Sequence, residues 1–314
     1  AVAKNKKVQK EVALKIRNDK IKEELRDVIK SNNISHSYLF LGTEGIGKRL
    51  FAREFAKAVL CLGETDDKPC GKCSSCIKFD GQNNPDYKEV EPDGNSIKIA
   101  QIREMQERIY EKPIASNKKV MIINESDKMT EEAQNALLKT LEEPPEYAVI
   151  ILVATNENKL LNTIKSRCLK IGFSNIPEEE IKKYIANNKI IENQSENIIK
   201  LCDGSIGKLE KIAENVELYQ AVENSMNLLL GGSIKNMVSM FKNFEVLYDN
   251  KDEIMGLLDY MTVITYNFVI SNNMLTSKFL NIVPVIEQTK KKLNSNTNFD
   301  MCIDELLINI FDKM

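Results

Sequence analysis

The chain has 314 residues, of which 42% are hydrophobic and 29% charged, a composition that fits a soluble globular protein with room for two or three domains. The 44 basic and 46 acidic residues leave a formal net charge of −2, which excludes an overall basic footprint for nucleic acid. A single histidine, His36, nearly excludes His-dependent triads and His-rich metal sites.

Nothing in the sequence points to a membrane or to secretion. The longest uninterrupted apolar run, residues 148–154, is far too short to span a bilayer. The N-terminal stretch AVAKNKKVQKEVALKIRN is basic but lacks the apolar core of a secretory signal. We therefore expect a cytoplasmic protein without a membrane partner, whose seven cysteines serve as thiols or metal ligands rather than as disulfides.

Helices and strands alternate through the first half of the chain. Apolar residues at helical spacing predict helices, and short continuous apolar runs predict buried strands. We expect helices at 20–30, 48–60, 97–110 and 131–143, and strands at 38–41, 87–90, 120–123 and 149–154. Residues 61–86 are expected to form a loop-like insertion. This alternation predicts an α/β fold with a doubly wound parallel sheet.

After residue 173 the pattern changes and no further strand is predicted. Two short helices are expected at 177–188 and 195–202, and the pattern from 209 to the end is helical throughout. The sequence therefore predicts an α/β domain at 1–173, a small helical domain at 174–208 and an all-helical domain at 209–314.

The sequence GTEGIGKR lies between a predicted strand and a predicted helix, which is the setting of a phosphate-binding P-loop. Gly42, Gly47 and Lys48 match the pattern G-x-x-x-x-G-K-[ST], and Gly45 adds a further glycine to the loop. The last position should carry a hydroxyl that holds Mg²⁺. Arg49 stands there instead and cannot coordinate a cation. We expect the loop to keep its phosphate-binding groups and to lack its metal ligand.

A second acidic motif should follow a neighbouring strand, where it holds Mg²⁺ and polarises water. The candidate is Asn124-Glu125-Ser126-Asp127, after the predicted strand 120–123. Asn124 is an amide where the usual motif has an acid, and an amide attracts Mg²⁺ more weakly than a carboxylate. Glu125 remains, and we expect it to be able to position a water. Two departures at the same ion argue against efficient hydrolysis.

Four cysteines cluster in the pattern C-x8-C-x2-C-x2-C, at Cys61, Cys70, Cys73 and Cys76. Four thiolates at this spacing suit a closed tetrahedral Zn²⁺ site, which staples a loop and leaves no position for substrate. Free or redox-active thiols and an Fe–S cluster are the alternatives.

Several motifs together resemble the bacterial clamp-loader ATPases of the AAA+ family. The run NALLKTLEEPP at 135–145 resembles the helix that follows the family's second acidic motif, and Ser166-Arg167-Cys168 matches its Ser-Arg-Cys motif. The sequence HSYLF before the P-loop and the cysteine cluster after it complete a resemblance over residues 20–210. The degraded metal ligands, and Gly207 where motor subunits have a nucleotide-sensing arginine, resemble the delta-prime type more than the gamma/tau motor type.

The resemblance implies an architecture and a set of partners. The α/β domain would be an AAA+ P-loop module with the zinc knuckle at 61–76, the domain at 174–208 a lid, and the domain at 209–314 a collar for oligomerisation. The partners would be gamma/tau and delta subunits in a hetero-pentameric ring, which reaches the sliding clamp and primed DNA through the complex.

The resemblance also assigns roles to single residues. Arg167 would act as an arginine finger in the ATP site of a neighbouring subunit, where it stabilises charge on the transferring γ-phosphate. Thr155 and Asn156 stand where the family senses that phosphate. The chain itself would be a stator of the DNA polymerase III clamp loader with little or no ATP hydrolysis of its own.

Two other interpretations stay open from the sequence. The chain is an active AAA+ ATPase of the gamma/tau type, or it is a zinc-stapled switch that binds ATP or ADP without turnover. Residues 1–19 lack the apolar segment ending in Gly-Gln or Gly-His that helps to hold adenine in the family. Nucleotide binding at the P-loop is therefore not settled by the sequence.

Overall fold

A computed structural model describes residues 19–65, 67–188, 190, 195–272, 278–295 and 297–314. The expectations about residues 1–18 therefore lie outside the described part of the chain. The contacts divide the chain into two compact units. The first holds the residues up to Ile176 together with Ser205–Gly207, and the second holds Pro177–Gly204 and Lys208–Met314.

The first unit is built on a five-stranded parallel sheet, as the sequence predicts. The strands are β1 Ser37–Leu41, β2 Tyr87–Val90, β3 Lys119–Ile123, β4 Ala148–Ala154 and β5 Leu169–Gly172. Their order across the sheet is β2-β3-β4-β1-β5. Tyr38 pairs with Ile151 on one side and with Leu169 on the other, so β1 lies inside the sheet. This places the P-loop, which follows β1, near the ends of β3 and β4.

Helices cover both faces of this sheet, which explains why its central strands are apolar throughout. The helices of the first unit are α1 Asp19–Lys30, α2 Lys48–Val59, α3 Ser74–Asp80, α4 Ile99–Tyr110, α5 Glu131–Glu142 and α6 Asn162–Lys165. One core cluster joins α4, α5 and α6 to one face, and another joins α1 and α2 to the opposite face. All residues of β3 and β4 are buried.

Two elements of this unit depart from the sequence predictions. Strand β5 was not predicted, because its short sequence LKIG lies at a sheet edge where three of four residues are exposed and no apolar run forms. The stretch 61–86 was predicted as a loop, yet it contains α3, whose N-terminus is capped by the Cys73 sulfur accepting from the Cys76 N–H. A cysteine cap is not part of the usual helix-start pattern.

The second unit is helical in all its described elements. It contains α7 Glu178–Asn188, α8 Glu196–Cys202, α9 Ile206–Glu214, α10 Val216–Leu230, α11 Met237–Asn243, α12 Val246–Asp249, α13 Ile254–Ser271, α14 Ile282–Leu293 and α15 Phe299–Lys313. Helix α9 begins in the segment that groups with the first unit and runs across the predicted boundary at 208/209. The division into three domains stays a prediction.

Helix α13 is the one described helix with the length and apolar composition of a membrane span. It packs on α10, α8 and α14. Leu257, Leu258 and Met261 are fully buried in these contacts, and 44% of the helix is buried in all. These contacts describe a core helix of the second unit.

The fold class expected from the sequence is therefore confirmed: a parallel α/β unit with a P-loop is followed by a helical region.

Candidate functional site

The P-loop adopts a conformation that depends on its glycines. Gly47 caps the N-terminus of α2 in the left-handed region, with φ of 94°. Gly42 has a φ of 155°, and a Cβ built there would come within 2.6 Å of the Phe173 carbonyl oxygen. The loop therefore packs directly on the chain that leaves β5, and a residue with a side chain would not fit at position 42.

Lys48 is held by the loop it belongs to. Its Nζ donates to the carbonyl oxygens of Gly42 and Thr43, each over 2.6 Å, and the residue is 6% exposed. Burial lowers the pKa of the ammonium, and the nearby charges of Asp127, Glu44 and Glu125 partly oppose that shift. The charge that a P-loop offers to phosphate is thus present and sits inside the loop.

Arg49 turns away from the loop towards strand β2. Its Nε donates to the Glu89 carboxylate over 2.7 Å, and its Nη2 pairs with Glu91. Arg53, one turn further along α2, lies 3.9 Å from the second oxygen of Glu89, which also accepts from the Tyr87 hydroxyl over 3.0 Å. A cluster of guanidinium and carboxylate groups therefore occupies the side of the loop where the pattern calls for a metal-binding hydroxyl.

The acidic motif Asn124-Glu125-Ser126-Asp127 directly follows β3. Asn124 is buried at the end of the strand, and its backbone N–H donates to the Val90 carbonyl. Glu125 adopts a left-handed conformation with φ of 51°, and its carboxylate pairs with Lys128, whose pKa it raises. The Glu125 carboxylate is about half exposed, and its role in positioning a water stays a prediction.

Asp127, which the sequence did not single out for a role, binds the loop after β4. Its carboxylate accepts from the backbone N–H groups of Thr155 and Asn156, over 3.3 and 3.2 Å. The hydroxyl of Thr155 lies 3.5 Å from the Lys48 Nζ. The segment to which the resemblance assigns phosphate sensing is thus tied to the acidic motif and lies beside the P-loop lysine.

Gly207 groups with the first unit and contacts the P-loop backbone. Its N–H donates to the Gly45 carbonyl over 3.0 Å. A Cβ at position 207 would stand 2.9 Å from the Gly45 Cα, so an arginine there would require the loop to move. This close approach accounts for glycine at the position.

The four cysteines of the predicted zinc site come together, as the spacing indicates. Their sulfurs all lie within 4.8 Å of one another, and those of Cys61 and Cys73 are 4.0 Å apart. Four sulfurs bound tetrahedrally at about 2.3 Å from zinc would be about 3.8 Å apart, so the cluster is close to that size. The other described cysteines lie outside it.

The chemistry of the cluster also suits a metal. Backbone N–H groups of Gly63 and Cys70 donate to the Cys61 sulfur, and those of Cys73 and Cys76 donate to the preceding thiols of the motif. Burial raises the pKa of Cys73, but the N–H groups of Cys76 and Leu62 and the thiols of Cys76 and Cys70 outweigh it and bring that pKa to about 6, whereas burial raises the pKa of Cys76 to about 12. Donors aimed at sulfur stabilise thiolates, which are the form that binds metal.

Arg167 lies on the surface at the end of α6. Its Nη2 donates to the Glu142 carboxylate over 2.6 Å, and its Nη1 donates to the Thr163 carbonyl over 2.8 Å. Cys168 is buried beside it, and burial raises its pKa to about 12. The sequence motif therefore presents the arginine outward and anchors the cysteine inward. The partner of Arg167 was not predicted.

Comparison with known proteins gives the family of this chain. The profile of the family described as "DNA polymerase III, delta subunit" matches residues 17–177, just over half of the 314 residues. The chain belongs to this family. The match covers nearly all of the first unit, with the P-loop, the cysteine cluster and Arg167.

Individual relatives come from two kinds of polymerase III subunit. The chain is 33% identical to DNA polymerase III subunit delta' of Bacillus subtilis over 72% of this chain and 64% of that protein. It is 36% identical to subunit tau/gamma of Haemophilus influenzae over 60% of this chain and 27% of that protein. The chain thus spans less than two thirds of the length of either relative.

Among solved structures, a gamma subunit-related protein of Thermotoga maritima is similar with a TM-score of 0.49. The identity is 21%, and the match covers 93% of this chain and 99% of that one.

Proposed function

We propose that the chain is a clamp-loader subunit of DNA polymerase III of the delta-prime type. It acts as a stator in the loader ring and hydrolyses little or no ATP itself. The observation that carries this proposal is the side chain of Arg49, which replaces the metal-binding hydroxyl and is held by Glu89. A P-loop without its metal ligand cannot neutralise the developing charge on a transferring phosphate in the usual way.

The ring supplies the rest of the proposed role. Arg167 lies exposed next to the buried Cys168 and would reach the ATP site of a neighbouring gamma/tau subunit. The further partners would be a delta subunit and, through the complex, the sliding clamp and primed DNA. Zn²⁺ bound by the four cysteines would hold the knuckle to the rest of the unit.

The test is ATP hydrolysis by the chain alone and by the ring assembled with its cognate gamma/tau and delta subunits. The isolated chain should hydrolyse no ATP above background. Arg167→Ala should lower hydrolysis by the ring and leave its assembly intact on size-exclusion chromatography. If the ring that contains Arg167→Ala hydrolyses ATP at the normal rate, the assignment of Arg167 as an arginine finger is wrong.

The second candidate is a gamma/tau-type motor subunit with its own ATPase activity. The 36% identity to the tau/gamma subunit of H. influenzae favours it. Turnover by the isolated chain of about one per second, at the lower end of the range for enzymes, would select this candidate over the stator.

A further inference from the structure

The side chain of Arg167 is fixed by two acceptors on separate elements. One is the Glu142 carboxylate at the end of α5, 2.6 Å from Nη2. The other is the Thr163 carbonyl in α6, 2.8 Å from Nη1. The Ser166 hydroxyl lies further away, at 3.4 Å. An arginine side chain has several freely rotating bonds, and two acceptors with different directions define where its guanidinium lies.

The backbones that carry this pair are anchored in the core. Leu141 precedes Glu142, Cys168 follows Arg167, and both are buried in the same core cluster. Ile164 of α6 is fully buried in that cluster too. The buried amide of Gln134, also on α5, accepts from the Leu161 N–H and donates to the Lys159 carbonyl, which ties the segment before α6 to α5. Glu142 and Arg167 therefore face each other from a common support.

The arrangement leaves part of the guanidinium available. A guanidinium has five N–H donors. The contacts with Glu142, Thr163 and Ser166 use three of them, and the Nε–H and one Nη2 hydrogen have no partner within the described ranges. Glu142 thus holds the group from one side and does not consume the donors that a phosphate would need.

We propose that Glu142 is a positioning residue for Arg167, an inference that rests on the proposed arginine-finger function. The carboxylate holds the guanidinium in one orientation before the neighbouring ATP site is met. Less conformational freedom is then lost when the finger engages the γ-phosphate. Glu142 is about half exposed, so water screens its charge and the guanidinium keeps most of its field towards the phosphate.

Two substitutions of Glu142 distinguish the effect of its hydrogen bond to Arg167 from the effect of its negative charge. Glu142→Gln keeps an oxygen that accepts from Nη2 and removes the negative charge, whereas Glu142→Ala removes both. A positioning role requires that the glutamine variant works nearly as well as the parent and that the alanine variant does not. Glu143→Ala is the matched control, since Glu143 is the C-cap residue of the same helix, carries the same charge and has no side-chain partner in the part of the chain described here.

The measurement is the steady-state ATPase of the assembled ring at saturating ATP. The contribution of the site that this chain faces is the parent rate minus the rate of the Arg167→Ala ring. Glu142→Ala should reduce that contribution about tenfold, since small misplacements of a catalytic group have effects of this order or larger. Glu142→Gln should stay within about threefold of the parent, and the ATP concentration for half-maximal rate should change in neither variant, because the finger acts on the transition state.

The outcomes distinguish this inference from the function on which it rests. If Arg167→Ala does not change the ATPase rate of the ring, both the arginine-finger role of Arg167 and the positioning role of Glu142 are wrong. If Arg167→Ala lowers the rate while Glu142→Ala behaves like Glu143→Ala, only the positioning role falls. A rate that rises in Glu142→Ala would also overturn it, because Glu142 would then withhold the finger. Unchanged unfolding midpoints and ring assembly exclude a merely structural effect.

Discussion

The guanidinium of Arg49 and the carboxylate of Glu89 form an ion pair over 2.7 Å that joins the first turn of α2 to strand β2. Glu91 pairs with the same guanidinium. A protein cation therefore stands among carboxylates on the side of the P-loop where a hydroxyl would hold Mg²⁺. The guanidinium carries a single positive charge that is already paired with Glu89 and Glu91, so it replaces neither the double charge of Mg²⁺ nor the ion's ability to coordinate phosphate oxygens and water.

The first prediction follows from this replacement. Adding Mg²⁺ should not strengthen ATP binding to the isolated chain, because Arg49 offers the ion no ligand and Asn124 offers only a neutral amide oxygen. Titration calorimetry in Mg²⁺ and in EDTA should give affinities within about twofold of each other, a difference of less than about 0.5 kcal/mol.

The double variant Arg49→Thr/Asn124→Asp is the counterpart of that experiment. It returns a hydroxyl and a carboxylate to the two positions, and ATP binding should then become at least about tenfold tighter with Mg²⁺. A strong Mg²⁺ requirement in the parent chain would contradict the structural interpretation of Arg49.

The second prediction concerns the metal. Elemental analysis of the purified chain should find about one zinc per molecule, because four thiolates form a closed site. Cys73→Ser/Cys76→Ser should lose the metal, whereas Cys302→Ala, at a buried cysteine outside the cluster, should keep it. A metal-free parent with four titratable thiols would reduce the cluster to plain cysteines.

Removing the metal should also destabilise the structure outside the cysteine cluster. Ser75, beside the proposed ligand Cys76 on α3, hydrogen-bonds the Ser116 hydroxyl over 2.9 Å and accepts from the Asn84 amide. Ser116 in turn donates to the Leu60 carbonyl at the end of α2. Chelation should therefore lower the thermal midpoint of the first unit, which circular dichroism with and without a chelator would measure.

Local sequence patterns sufficed for the P-loop and the cysteine cluster because each lies within a short stretch of chain. The side-chain partners of Arg49 and Arg167 could not be predicted from local patterns, because they lie far from these residues in the sequence. Glu89 is 40 residues from Arg49, and Glu142 is 25 residues from Arg167. The residues that flank each arginine in the sequence do not indicate which carboxylate accepts its hydrogen bond. The topology that brings β2 beside α2, and α5 beside α6, decides these pairs.

The third prediction tests a buried anchor that the sequence did not reveal. Asp86 is fully buried and accepts from three successive backbone N–H groups, those of Ile114, Ala115 and Ser116, over 2.7 to 2.8 Å. Asp86→Ala would leave these donors without their acceptor. Because hydrogen bonds to a charged group are the stronger kind, the free energy of unfolding should fall by about 3 kcal/mol.

Urea unfolding followed by circular dichroism measures this loss. Asp27→Ala is a suitable control, since Asp27 is exposed on α1 and should change the free energy of unfolding by less than about 0.5 kcal/mol. Equal stability of the two variants would mean that the 114–116 turn does not depend on Asp86.

The fourth prediction concerns Gln134, which supports the segment before the proposed finger. Its amide is 4% exposed, accepts from the Leu161 N–H over 2.8 Å and donates to the Lys159 carbonyl over 3.0 Å. The same amide nitrogen also donates to the Met129 carbonyl over 3.3 Å. Gln134→Leu has a similar volume but leaves these three backbone groups without this partner, so it should cost about 2 kcal/mol of unfolding free energy. Asn135→Leu, at the exposed next position of α5, should cost less than about 0.5 kcal/mol.

The same variant separates stability from positioning. Gln134 and Glu142, both on α5, hydrogen-bond the segment before α6 and Arg167, respectively. If both contacts position Arg167, Gln134→Leu should also lower the ATPase rate of the ring at a temperature where the chain is still folded, because the segment before α6 would lose its hydrogen bonds to α5. Hydrogen exchange should then rise at residues 159–161 before it rises in β3 or β4, whose amides lie in the centre of the sheet. Faster exchange across the whole first unit would instead mean that Gln134 stabilises the fold as a whole and has no special connection to the finger.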